Sequence, residues 1–373
     1  MMHVCAPWLP GNEKKYVEDA MNSGWISSVG EYITKFEEGF AKFCDVNYGI
    51  SCSNGFGALH LACVALGLSK GDEVIVPTFT MAATINAVII SGAKPVFVDC
   101  DKETYCIDAN KIEEKITEKT KAIIPVHIYG HPCDMDKILE LSKKYNLFII
   151  EDAAEAHGAE YKGRKCGSMG NIGCFSFYAN KILTTGEGGM CITNNKELAD
   201  KMKRLRNHAF DLPRFIHNEV GFNYRLTNLQ AAIGLAQVEN AEMLVEARRK
   251  IGQKYNKLLK DVAGLILPIE KDYAKNVYWM YGVVLDKNVK LTKEEVMARL
   301  KEKGIDTRSF FIPMHKQPAY YNKTVENAPE CSGNYPVAEF IGERGFYLPS
   351  SSNLSDGEIS SVCDVLKGVL GGR

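Results

Sequence analysis

Between Glu73 and Asp99 the chain reads EVIVPTFTMAATINAVIISGAKPVFVD, and this stretch decides the fold class. EVIVP (Glu73–Pro77) is short, β-branched and closed by a proline, which reads as a strand. MAATINAVIISG (Met81–Gly92) carries helix formers and ends in glycine, a helix stop. PVFVD (Pro95–Asp99) is again a strand. Neither strand alternates polar with apolar residues, so both faces are expected to be covered, as in the parallel sheet of an α/β protein. The pattern continues outward. Asp108 is an N-cap candidate for DANKIEEKI, and AIIPVHI (Ala122–Ile128) is the next strand. DMDKILELSKKYN places Met135, Ile138 and Leu139 at i, i+3 and i+4, the spacing of an amphipathic helix. LFIIE (Leu147–Glu151) is a fourth strand.

After Lys181 the pattern changes. A glycine-rich turn, TTGEGGM, leads into CIT, and a polar loop spans Asp211–Asn218. The run TNLQAAIGLAQVENAEMLVEARRKIGQKYNKLL is helical, with breaks expected at Gly234 and near Glu239–Glu242. Beyond about Leu265, shorter pieces such as VYWMYGVVL and KEEVMARLKEKG predict a smaller α+β domain. The expected division is a large α/β domain over 1–245 and a small α+β domain over 246–373. At about 100–200 residues per domain, 373 residues accommodate both.

Composition removes several function classes. Lys+Arg 45 against Asp+Glu 46 leaves a net charge of −1, giving no electrostatic reason to expect a nucleic-acid partner. No apolar run approaches the roughly 18 residues of a membrane span, so no membrane association is expected. MMHVCAPWLPGNEKK lacks the charged-then-apolar pattern of a secretion signal, and the expectation is a cytoplasmic protein. The 12 cysteines run from Cys5 to Cys363 without a CxxC pair, and the 8 histidines show no ligand spacing. Free, mostly buried thiols and no metal are expected.

Three windows bear chemistry. In FSFYANKILTTGEGGM (Phe175–Met190), Lys181 follows apolar and aromatic residues, and a desolvated lysine has a lowered pKa suited to Schiff-base chemistry. Taken alone it reads more readily as a surface lysine at a strand end. EDAAEAHG (Glu151–Gly158) sits at the C-terminal end of an apolar strand, the edge where open α/β sheets bind ligands. There Asp152 suits either a helix cap or a partner for a protonated pyridine nitrogen. SCSNGFGALHLA (Ser51–Ala62) is a glycine-containing turn running into an apolar helix, a ready anion site or simply a tight turn.

Together, and in this chain order, the three resemble the DegT/DnrJ/EryC1/StrS family of sugar-nucleotide aminotransferases. The matching motifs span nearly the whole chain: GDEVIVPTFT, AIIPVHIYGHPCDM, IIEDAAEAHGA, FSFYANKILTTGEGGM, GFNYRLTNLQAAIGLAQ and PMHKQPAY. The resemblance implies a fold-type I enzyme, a mostly parallel sheet with a smaller C-terminal domain, using pyridoxal 5′-phosphate. It implies that Lys181 carries the cofactor and moves the proton, that Asp152 pairs with the pyridinium, and that Glu155 lies beside the cofactor's 3′-oxygen. Ser176, Asn54, Gly55 and Phe56 are the expected phosphate contacts, with Asn223 reaching the phosphate of a neighbouring subunit. Trp25, Ser27, Ser28, Tyr178, Arg225, Arg308 and His315 are the expected contacts to the nucleotide-sugar. The expected partners are that sugar, L-glutamate and a second copy of the chain sharing both active sites.

Two positions depart from the family pattern. Phe56 stands where relatives carry Thr, removing one phosphate hydroxyl, and Met81 stands where an aromatic ring stacks on the cofactor. Glu155, where many relatives have Gln, favours the branch that aminates C4 of GDP-4-keto-6-deoxymannose. A UDP- or dTDP-linked sugar and a cofactor-binding regulator without turnover stay open. A 3-dehydratase on the same scaffold carries His where Lys181 stands. A dinucleotide-dependent dehydrogenase is disfavoured because no GxGxxG follows a strand.

Overall fold

The structure is a computed structural model that describes residues 1–213 and 215–371. Seven strands form the central sheet in the order Tyr48–Cys52, Gly189–Thr193, Ile172–Ser176, Phe148–Asp152, Thr120–Ile123, Glu73–Pro77 and Lys94–Val98. The pairings from Ile172–Ser176 through to Lys94–Val98 are parallel. The strands Ile172–Ser176 and Gly189–Thr193 are buried throughout, as strands covered on both faces are.

The sheet is mixed rather than wholly parallel. Gly189–Thr193 runs antiparallel to both neighbours. A parallel return needs a crossover of a dozen or more residues, usually a helix. The segment after Ser176 folds back instead: Phe177 N–H donates to Gly188 O at 2.8 Å and Thr185 N–H to Phe177 O at 2.9 Å. That turned-back loop carries Lys181.

Other differences have local causes. The strand is Thr120–Ile123, so AIIPVHI contributes only Ala122 and Ile123 to it, because Pro125 has no N–H to donate. Asp108 does cap, but the element is a 3₁₀ turn, with Asn110 N–H donating to its carboxylate at 3.0 Å. Gly234 breaks nothing: the Asn228–Glu239 helix runs through it, and a Cβ there would stand 2.7 Å from Phe36. The long helical run breaks at Asn240, within the polar stretch Glu239–Glu242 where the second break is expected.

A four-stranded antiparallel sheet, ordered Leu265–Ile266, Tyr281–Leu285, Gly345–Leu348 and Arg308–Ser309, builds the C-terminal unit. Its core gathers Ile251, Tyr255, Tyr281, Phe346, Val362 and Leu366. The helix Ala241–Leu259 gives Leu244 and Val245 to the large core and Ile251, Tyr255 and Leu259 to the small one. Position 245/246 therefore lies inside a continuous helix. Trp279, although close to a small-domain strand, packs in the large core. All 12 cysteines are free thiols, and most are buried. None of the described helices is long and apolar enough to cross a membrane.

Candidate active site

Parallel strands end on one edge of the sheet, so the residues just past their C-termini converge there. Met81 follows Glu73–Pro77, Asp152 ends Phe148–Asp152 and Ser176 ends Ile172–Ser176. Tyr48–Cys52 points the same way and leads to Asn54. These residues and Lys181 line one cavity of about 380 Å³, closed from the small domain by Trp279, Arg308 and Tyr347.

One end of the cavity suits an anion. Asn54 Oδ1 caps the helix Gly55–Ala65 by accepting the Gly57 N–H at 2.8 Å. Among the described residues, the Gly55 and Phe56 N–H groups ahead of it have no acceptor in the chain. Unsatisfied amides at a helix N-terminus, with the helix dipole behind them, favour a phosphate. Gly55 is required here, since a Cβ would stand 2.7 Å from Ser176 Cβ. That close approach brings the Ser176 hydroxyl to the same spot.

The other end holds the titratable groups. Thr84 Oγ1 donates to Asp152 Oδ2 at 2.7 Å and Ala154 N–H to Oδ1 at 3.2 Å, which fixes the carboxylate plane. Burial pushes the Asp152 carboxyl up, while the Thr84 bond pulls it down. The Lys181 side chain is only 10% exposed, and this desolvation lowers its pKa against the opposing pull of Glu155 and Asp152. Its Nζ lies 3.7 Å from the centroid of Trp279 and 3.9 Å from Glu155 Oε1. Burial raises Glu155 to about 7, the Lys181 charge and the Tyr129 N–H (2.7 Å from Oε2) acting the other way. A buried carboxylate pair, a desolvated lysine and an anion cradle in one cavity fit a cofactor with a phosphate and a basic ring nitrogen.

Of the residues expected from the sequence, Asn54, Gly55, Phe56, Met81, Asp152, Glu155, Ser176, Tyr178, Lys181 and Arg308 line this cavity. Met81 presents its thioether to the backbone, with Ala83 N–H donating to Sδ at 3.1 Å. His315 is not presented to the cavity. It is buried, with Nδ1 2.7 Å from Thr78 Oγ1, Nε2 3.1 Å from Glu339 Oε1, and its ring against Tyr335. Both ring nitrogens are thus engaged: Nδ1 ties the small domain to the large one through Thr78, and Nε2 is held within the small domain by Glu339. Ser28 and Arg225 line a separate concavity of about 730 Å³ with Lys203 and Arg206. Trp25 and Asn223 are exposed, and the Trp25 and Ser27 carbonyls accept bonds from Asn228. Within one chain these residues do not meet the Lys181 cavity. Trp279, Thr84 and Tyr129 escaped sequence reasoning, since no glycine, charge or helix-start pattern marks them.

The sequence model of the DegT/DnrJ/EryC1/StrS aminotransferase family matches residues 9–367. The chain belongs to this family. The aminotransferase is 46% identical over 369 residues to the GDP-perosamine synthase of Caulobacter vibrioides, covering 98% of each chain. It is 45% identical over 365 residues to that of Escherichia coli O157:H7, covering 97% of this chain and 96% of the other. The crystal structure of S. venezuelae DesV superimposes with a TM-score of 0.90 at 32% identity, covering 97% and 95%. The fold is that of the fold-type I aminotransferases, and the enzyme is pyridoxal-phosphate-dependent.

Proposed function

We propose that the enzyme transfers the amino group of L-glutamate to C4 of GDP-4-keto-6-deoxy-D-mannose, giving GDP-perosamine and 2-oxoglutarate. The observation that carries the sugar assignment is identity of 45–46% to two GDP-perosamine synthases along nearly the full length of all three chains. The glutamate donor rests on the family resemblance read from the motifs.

Pyridoxal phosphate, when bound, supplies the electron sink that makes the hydrogen on the donor's α-carbon acidic. The chain's own residues do the rest. The Gly55 and Phe56 amides and the Ser176 hydroxyl would hold the phosphate. Asp152, oriented by Thr84, keeps a proton on the ring nitrogen by its negative charge. Glu155, by the family resemblance, would lie beside the cofactor's 3′-oxygen. Lys181 Nζ takes the proton from glutamate Cα in the first half-reaction and delivers one to C4 of the sugar in the second. Desolvation that lowers its pKa brings it nearer the working pH of a general base. Tyr178 and Arg308 border the cavity where the sugar enters.

The active unit in this reading is a homodimer with shared sites. Trp25, Val29, Leu212 and Val220 are large apolar side chains left in solvent on one chain. Val29 and Leu212 line the same concavity as Ser28 and Arg225, exposed apolar groups of this kind mark association surfaces, and a two-fold axis makes any donated residue reciprocal. Asn223, Ser28 and Arg225 then serve the partner's cavity rather than their own.

The substrate assignment is tested with a panel of GDP-, UDP- and dTDP-linked 4-keto-6-deoxy sugars, each with glutamate, followed by product mass. GDP-4-keto-6-deoxymannose is expected to have a kcat/KM at least about 100-fold above the others, since base contacts that a wrong nucleotide leaves unpaired are costly. Faster turnover of a UDP- or dTDP-sugar would reject it.

The phosphate cradle gives a second expected result. Phe56 lines the cavity and lies against His60 with ring centroids 6.1 Å apart, bringing no hydroxyl to the cradle. Phe56→Thr adds a donor to a charged phosphate, a bond worth about 1.5 kcal/mol or more. Absorbance titration of the apoenzyme should show cofactor binding about tenfold tighter. An unchanged or weaker dissociation constant would place the phosphate elsewhere.

A further inference from the structure

The indole of Trp279 is built as a seat for the Lys181 amine. Nζ lies 3.7 Å from the ring centroid, whereas Glu155 Oε1 is 3.9 Å away with no hydrogen bond between them. The ring is fixed from several sides. Its Nε1–H donates to Asn180 O at 2.9 Å, which ties it to the residue next to Lys181. Its backbone N–H donates to Tyr129 O at 3.0 Å, and its carbonyl accepts from the buried Arg248 Nη1 at 2.8 Å. The Tyr129 ring stacks on it at 6.3 Å.

Tyr129 links this wall to the other one. Its backbone is in the left-handed region, φ 53°, and its N–H is the group that holds Glu155 Oε2. A β-branch-free aromatic in that region costs conformational energy, and such strain persists where surrounding structure over-determines it. One strained residue therefore sets both the indole and the carboxylate about Nζ.

A lysine that carries the cofactor is released from it in each half-reaction. The free amine is then a compact charge on a four-carbon stem, in a site where burial disfavours the charge. We propose that Trp279 is a positioning residue whose indole face seats the Lys181 ammonium whenever the lysine is not linked to the cofactor. The face of an indole attracts a cation through its quadrupole, so the seat holds the protonated amine in place without supplying a competing base. The inference rests on Lys181 as the cofactor lysine and not on the identity of the sugar.

Besides Trp279, the groups facing Nζ are Glu155, Asp152 and Cys5, and none of them changes when the indole is fluorinated. Fluorine weakens the ring face while keeping its shape. The test uses the full-length chain loaded with pyridoxamine 5′-phosphate, made with tryptophan, 5-fluorotryptophan or 5,7-difluorotryptophan. Competitive acetylation across pH, read by mass spectrometry of the Lys181 peptide, gives the amine's titration midpoint. Loss of the cation–π contact disfavours the charged form, so the midpoint is expected to fall stepwise, by up to about one pH unit. In a Trp279→Phe background, where only Trp8 and Trp25 carry the label, fluorination should leave the midpoint unchanged. Where a fluorinated chain fails to fold, the unlabelled Trp279→Phe variant reads the same quantity, and its midpoint should lie below that of the unsubstituted enzyme. A midpoint unmoved by fluorination, or moved equally in the Trp279→Phe background, would overturn the seat. No sugar enters the measurement, so this failure and failure of the substrate panel are separate outcomes.

Discussion

Lys181→Ala is expected to fold, bind cofactor and turn over at least about 1000-fold more slowly than the unsubstituted enzyme. Folding should survive because the Lys181 side chain makes no hydrogen bond in the chain, and Glu155, which burial raises to about 7, can take up a proton once the facing ammonium is gone. Turnover should not, because a positioned proton carrier contributes about 10²–10⁴-fold and this residue serves both half-reactions. Release of 2-oxoglutarate under steady-state conditions measures the loss. A rate within tenfold of normal would put the proton shuttle elsewhere. The same variant tests site sharing when mixed with Asn223→Asp, which sets a carboxylate against the phosphate. If Asn223 acts in the partner's site, each mixed dimer has one site with both defects and one with neither. Half the dimers in an equal mixture are mixed, so about a quarter of the activity should return. Chains that exchange without recovering activity would confine Asn223 to its own site.

Glu151→Ala is expected to cost about 3–5 kcal/mol of folding stability, the range for breaking a buried, hydrogen-bonded charge. Glu151 precedes Asp152 on the strand and is wholly buried. Its Oε1 accepts the Met169 and Gly170 N–H groups, both at 2.6 Å, and its Oε2 accepts the Gly167 N–H at 2.7 Å. His127 Nδ1 accepts the Cys133 N–H at 3.1 Å, which leaves Nε2 to donate to Glu151 Oε2 at 3.0 Å. Removing the carboxylate strands four donors away from water, each left with the cost of an unmade bond. Urea unfolding should show a lower midpoint at unchanged slope. Glu151→Gln should cost less, because one acceptor oxygen is kept. A loss below about 1 kcal/mol would mean that water replaces the carboxylate.

The local and the distant parts of this protein were legible to different degrees. Strands such as Glu73–Pro77 and the helix Met135–Tyr145 announce themselves because their signals lie within a dozen residues: apolar continuity, 3.6-residue spacing, proline and glycine stops. Lys181, Asp152, Ser176 and Gly55 were legible for a related reason, since each sits in a short motif tied to a strand end or helix start. Their meeting in one cavity follows from the sheet, whose strands deliver their C-termini to one edge.

Tertiary structure alone decided what surrounds them. Trp279 reaches Lys181 from a segment 98 positions later, by a domain closure that no local pattern encodes. Thr84 finds Asp152 across 68 positions. His315 lies in a motif that the family resemblance marks, yet its two nitrogens are taken up by Thr78 and Glu339 where the domains meet. The antiparallel return at Gly189–Thr193 was hidden as well, because a strand's residues show how buried it is but not which way its neighbour runs. Sequence by itself determined the α/β class, the family and the candidate residues for the chemistry, because those depend on short-range pattern. The neighbours that set their charge and orientation depend on which distant segments pack together, and only the folded chain decides that.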